Sequence, residues 1–223
     1  MRNHNYTIIF SLILCAFTSI SLSWCFVALK DKRENNEAME KKKNILNASG
    51  IKLKNKNEIE EIFNKSVTIL NVNKEGKIIE SNNNKIEKST IYKIEDKINN
   101  LTTYVYPIKG KGLWSTLEGY ISVYPDGNKI KGITFYKHGE TPGLGAEIEK
   151  EWFTKNFENK LLYNNKNLVG VEVVKGKAKN NILYKIKKDN LVDGISGATI
   201  TGNGVTKMLK TEPKKYHKFF NKE

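Results

Sequence analysis

GYISVYPDGNKIKGITFYKHGETPGLG, residues 119–145, is the stretch whose reading decides the fold. Residues 119–125 form a strand with alternating faces. Asp126 and Gly127 are a hairpin turn signal, and residues 130–136 are the returning strand. The hairpin runs straight into 138–145, HGETPGLG, where three glycines and a proline crowd eight residues. One reading is a tight irregular turn. The other is a loop whose backbone comes close to a flat ligand, because glycine lets a planar ring approach the main chain.

Working outward, Trp152, Phe153 and Phe157 suggest a short amphipathic helix. Residues 168–174 (LVGVEVV) read as a strand and 182–186 (ILYKI) as a weaker one. The run 193–201, DGISGATIT, brings small residues to a helix start, with the helix continuing through Val205, Met208 and Leu209. Free N–H groups and the dipole at a helix N-terminus suit a phosphate, although an ordinary cap reads the same way. Upstream, 67–72 (VTILNV) is a strand and Asn82, Asn83 and Asn84 a loop tip. Residues 30–50 form a charged helix with a thin apolar stripe of Met39, Ile45 and Leu46, stopping at Gly50. Strands and helices are segregated, so the expected class is α+β.

The 223 residues carry 38 Lys plus Arg against 24 acids, a formal net charge of +14. That charge is spread unevenly. From Tyr6 to Leu29, 24 residues pass without a charge. As a helix they span ~36 Å, enough to cross a bilayer core. A permanent anchor is the expectation. A cleavable signal with Ser21-Leu22-Ser23 as its processing site is the competing reading. Leu14 before Cys15 and Trp24 before Cys25 exclude a lipoprotein. The two cysteines lie ~15 Å apart along one helix, too far to bridge. Arg2 precedes the span and Lys30, Lys32 and Arg33 follow it, which leans toward a cytoplasmic domain, but a long following domain weakens that signal.

Several chemistries have no support. The segment around Ser196 has Ala198 where a nucleophile elbow needs glycine. Residues 170–177 are one residue too long for a phosphate-binding P-loop, and no dinucleotide fingerprint follows a strand. The three histidines are scattered, so no metal site is expected. Many Lys mixed with 27 Asn read mainly as solvated surface; no nucleic-acid motif accompanies the charge, and no nucleic-acid partner is expected.

The ordered set GKGLWS (110–115), 119–145 and DGISGATIT (193–201), after one N-terminal span, resembles the C-subunit family of sodium-translocating NADH:quinone reductases. The match is strong over 110–145 and 190–207. The G subunit of Rnf electron-transport complexes shares the second and third motifs and is the nearest alternative. The resemblance implies three parts: an anchor over 1–29, a juxtamembrane helix and variable part over 30–100, and an FMN-binding α+β core over 101–223. It implies FMN joined to Thr199 through a phosphoester, with Thr201 and Ser196 as nearby decoys. Asp193, Ser196, Gly197 and Ala198 would form the recognition pattern of a magnesium-dependent transferase that moves FMN from FAD.

By the same resemblance Trp114 and Leu144 would pack near the flavin ring. Glu140, Thr141, Gly143 and Gly145 would line it, with Thr116 nearby and Lys207 neutralising the phosphate. Further implied are the other subunits of a membrane complex that oxidises NADH, reduces ubiquinone and exports sodium. The chain would sit in a bacterial inner membrane with its domain in the periplasm, against the charge count around the anchor. No catalytic residue of its own is expected. The rival from another class is a non-enzymatic anchored module whose basic surface binds anionic lipid, with binding that collapses in salt.

Overall fold

The computed structural model describes residues 4–51, 53, 55–79, 88–97, 99–165 and 167–221; the expected loop tip at 82–84 lies outside them. Two units divide the chain, Met1–Lys41 and Lys42–Glu223.

In the first unit, α1 (His4–Ala28) holds the uncharged run. It is long and apolar enough to cross a membrane. Thr18 returns its hydroxyl to the carbonyls of Leu14 and Cys15, so this polar side chain is satisfied within the helix. The next helix, α2 (Lys30–Ala48), starts here and carries the charged segment. It ends as expected, with Gly50 beyond it at φ +83°.

The second unit begins with the last turns of α2 and then α3 (Lys56–Ser66). Six strands follow: β1 (Val67–Val72), β2 (Ile78–Ile79), β3 (Ser89–Asp96), β4 (Leu101–Lys111), β5 (Thr116–Val123) and β6 (Ile130–Lys137). They form one sheet in the order β2-β1-β3-β4-β5-β6, and each neighbouring pair is antiparallel. The β5–β6 hairpin is the one read from 119–136. Asp126 closes its turn by accepting the N–H groups of Asn128 and Lys129 at 3.0 and 3.1 Å.

Register sorts the two faces. Tyr106, Ile108, Leu117, Ile121 and Phe135 are buried in one apolar core with Phe153, Phe157, Val205, Met208 and Leu209. Tyr92, Tyr120 and Tyr136 lie on the opposite face as a ladder of rings 5.1–6.2 Å apart. The end of α2 covers that face: Asn44 O accepts a hydrogen bond from Thr134 Oγ1, and Ile45 and Leu46 are fully buried.

After β6 come α4 (Glu151–Thr154), β7 (Tyr163–Asn164), β8 (Asn167–Leu168), β9 (Glu172–Val173), α5 (Tyr184–Lys187), β10 (Leu191–Val192), α6 (Thr199–Thr211) and α7 (His217–Phe220). The strand expected at 168–174 is split between β8 and β9, because Gly170 turns at φ +66°. The strand expected at 182–186 is instead the single turn α5. Asn181 Oδ1 accepts the Leu183 N–H at 2.8 Å and its carbonyl takes the Tyr184 N–H at 2.9 Å, which starts a helical turn. β9 and β10 pair in parallel. The class is α+β, as the segregated elements predict.

Candidate functional site

The β4–β5 turn, the segment after β6 and the N-terminus of α6 meet at one end of the sheet. Glu140 joins them. Its side chain is 5% exposed. It accepts the N–H groups of Leu113 at 3.3 Å and Trp114 at 3.1 Å, and the Thr201 hydroxyl at 2.5 Å. Burial raises its pKa, but the donors from Thr201, Trp114, Leu113 and Ser115 outweigh it, so the carboxyl lies below the usual range. Gly112 and Gly145 make room: a Cβ at Gly112 would stand 2.5 Å from Glu140 Oε1, and one at Gly145 2.7 Å from Thr201 Oγ1. Ser115 Oγ also accepts the Gly139 N–H at 2.5 Å, and His138 Nδ1 accepts the Glu140 N–H at 3.3 Å.

Above this buried joint the surface is apolar. Trp114 is 71% exposed, and Leu144, Leu113 and Ile200 are exposed with it. Trp114 is therefore not an ordinary core aromatic. Leu144 Cδ2 would lie 2.7 Å from a Cβ at Gly197. Gly197 and Gly143 both turn at φ +74°, and Thr141 and Thr116 are exposed at the same end.

Thr199 is the first residue of α6 and is exposed. Among the described residues its hydroxyl has no hydrogen-bond partner. Thr201, two residues on, is 1% exposed and engaged by Glu140. Ser196 is exposed in the turn before the helix. A shallow depression beside Thr199 is lined by Val173, Val174, Lys175, Gly194, Ile195 and Ala198. Asp193 is held by the Ala178 N–H and by Lys177 Nζ, both at 2.8 Å. Burial raises its pKa, and these partners pull it below the usual range.

These residues fit a phosphorylated flat ligand. An unengaged hydroxyl stands at a helix N-terminus, whose N–H groups favour an anion, and a shelf of exposed Trp114 and Leu144 lies beside glycines in left-handed backbone. Lys207 is the expected residue the fold does not bring in. It lies eight residues along α6, ~12 Å down the axis from Thr199.

A family model described as an FMN-binding domain matches residues 112–211. The chain is 43% identical to the C subunit of the Na(+)-translocating NADH-quinone reductase of Pasteurella multocida over 120 residues, 54% of this chain and 44% of that protein. It is 30% identical to the C subunit of the Haemophilus ducreyi enzyme over 226 residues, covering 89% of this chain and 85% of the relative. A crystal structure of the C subunit from Parabacteroides distasonis superposes with a TM-score of 0.75 at 31% identity, over 87% of this chain and 98% of that one.

The chain belongs to the C-subunit family of Na(+)-translocating NADH-quinone reductases. Two features of the site in this family member escape sequence reasoning. Thr201 reads as a decoy hydroxyl but is the α6 partner of Glu140. Lys175 lies 24 residues before Thr199, yet the β9–β10 pairing brings it into the same depression. The glycines at 112 and 145 are the local trace of this crowded joint, because a Cβ at either would meet Glu140 or Thr201.

Proposed function

We propose that this chain is the membrane-anchored, flavin-carrying subunit of a sodium-translocating NADH:ubiquinone reductase, with FMN esterified to Thr199 and serving as an electron relay. The contrast between Thr199 and Thr201 carries this reading. Of the two threonine hydroxyls in the ATIT run, one is exposed and unengaged, and the other is buried and bonded to a carboxylate.

An alcohol needs outside activation to attack phosphorus. A magnesium-dependent transferase supplies it. The Thr199 oxygen forms a bond to the FMN phosphorus of FAD, the phosphoanhydride breaks, AMP leaves and the hydroxyl proton passes to the transferase. Ser196, Gly197 and Ala198 present a low, open approach to that hydroxyl, and Asp193 fixes the segment from behind.

Once bound, the flavin supplies reversible electron transfer. The chain's own residues hold and shield it. Trp114 and Leu144 offer apolar faces, and Thr116, Thr141, Gly143 and Gly145 offer hydroxyl and backbone contacts around the ring edge. Glu140 acts from beneath by fixing the loop that carries Trp114. Lys175 is better placed than Lys207 to face the phosphate. In this reading α1 anchors the chain in the bacterial inner membrane and the domain faces the periplasm, beside the other subunits of the complex; the length and apolar character of α1 support the anchor.

The test is denaturing electrophoresis under ultraviolet light, with intact mass, on the full chain co-expressed with a flavin transferase. The wild type and Thr201→Ser fluoresce and gain the mass of FMN less water, while Thr199→Ala stays dark. A fluorescent Thr199→Ala band overturns the attachment site, and a dark wild type overturns the flavin reading.

A further inference from the structure

Between β9 and β10 the chain makes an excursion of which the flavin chemistry uses only the first residue, Lys175. Residues 175–188, KGKAKNNILYKIKK, contain six lysines and no acid. At its crest Ile182 is 94% exposed and Ile186 is 83% exposed. Two isoleucines four residues apart stand almost wholly in water on an anchored segment, among lysines of one sign of charge, a combination that suits a contact surface.

The crest is anchored. Tyr184 packs against the small buried cluster of Val174, Ala178 and Leu191. Asp193 ties down Lys177 and the Ala178 N–H, and Gly194 N–H donates to Gly176 O at 2.8 Å. Lys160 Nζ donates to Lys188 O at 2.5 Å. With Tyr184 facing inward on α5, Ile182 and Ile186 are held outward. Lys179, Lys185, Lys187 and Lys188 flank them, and among the described residues none of these four side chains has an ion-pair partner.

We propose that this crest docks on an anionic lipid surface, with Ile182 and Ile186 entering the interface and the four lysines meeting phosphate headgroups. Charge complementarity selects that occupant. Each basic residue near a membrane of anionic lipid contributes roughly 1 kcal/mol, about five-fold in the docked population, and two aliphatic side chains add apolar burial. A chain that carries a membrane-length apolar helix is never far from such a surface, so docking is intramolecular and weak contacts suffice. This property is independent of whether Thr199 carries flavin.

The experiment uses the full chain, with Cys15→Ala and Cys25→Ala, and an environment-sensitive fluorophore on Ile182→Cys. The protein is reconstituted in vesicles of phosphatidylcholine, alone or mixed with phosphatidylglycerol. The expected result is blue-shifted emission, quenched by spin-labelled lipid, only with phosphatidylglycerol. Reversing Lys185, Lys187 and Lys188 to Glu should lower the docked-to-free ratio at least about a hundred-fold, as should high salt, while thermal unfolding stays unchanged because all three are exposed. Water-like emission in the anionic vesicles overturns the proposal. So does protection of the probe that arises only in the assembled complex, which would make a neighbouring protein of that complex the occupant.

Discussion

The Thr201 hydroxyl donates to Glu140 Oε2 at 2.5 Å, joining the first turn of α6 to the loop after β6 across 61 residues of chain. The same carboxylate holds Leu113 and Trp114. Three segments distant in sequence are therefore positioned by one buried carboxylate that, among the described residues, has no ion-pair partner.

Glu140→Ala would remove the acceptor of three donors, the buried Thr201 hydroxyl and the part-buried Leu113 and Trp114 N–H groups. A fully buried donor left unpaired costs about 1–3 kcal/mol and a part-buried one less, so a total loss of about 3–5 kcal/mol is expected in chemical denaturation. Glu140→Gln keeps the shape and one acceptor and should lose about half as much. A loss under about 1 kcal/mol for the alanine variant would mean that the three segments are held by other contacts.

Acid should loosen the same joint. Glu140 and Asp193 have pKa values below their unfolded ones, so their stabilisation is fully present above the ordinary carboxylate range. It is lost as pH falls through the depressed native values. Unfolding free energy measured against pH should decline from about pH 4 downward, and the decline should be shallower in Glu140→Gln. Equal slopes in the two proteins would remove Glu140 from the account.

Gly204 lies inside α6, where alanine ordinarily stabilises by about 1 kcal/mol. Here a Cβ would collide with the Lys111 carbonyl of β4. Gly204→Ala should therefore destabilise, by about 1–3 kcal/mol, and shift the helix that begins at Thr199. Gly143→Ala meets nothing within 4 Å and carries only the cost of φ +74°, about 1 kcal/mol. Thermal melts of the two variants should rank them in that order.

Trp114→Ala should leave stability within about 0.5 kcal/mol, because the ring is largely in water. In flavin-loaded protein the same change should raise flavin fluorescence, since a stacked indole quenches it. An unfolding midpoint that drops with no change in flavin emission would place the ring in a structural role instead.

The hairpin at 119–136 was legible because alternation and the Asp126-Gly127 turn agree on one register. The start of α6 was legible from small residues ahead of an apolar period. β4 was not, since Pro107 interrupts it. The strand tolerates Pro107 because its pairing with β3 ends at Val105, before the missing N–H matters. The turn α5 was hidden by the short apolar run of ILYKI, which local Asn181 hydrogen bonds override. The motifs around Thr199 could be picked out locally, but the Glu140 joint could not. Its partners lie 26 to 61 residues away, and nothing in HGET distinguishes a buried carboxylate from a solvated one.

The glycine contact that seats α6 directly on β4 also limits what a group carried at position 199 can do. Its mounting is as stiff as the sheet beneath it. If such a carrier must approach one redox partner and then another, the linker cannot swing to shorten the gap. The approach then has to come from the domain moving as one body.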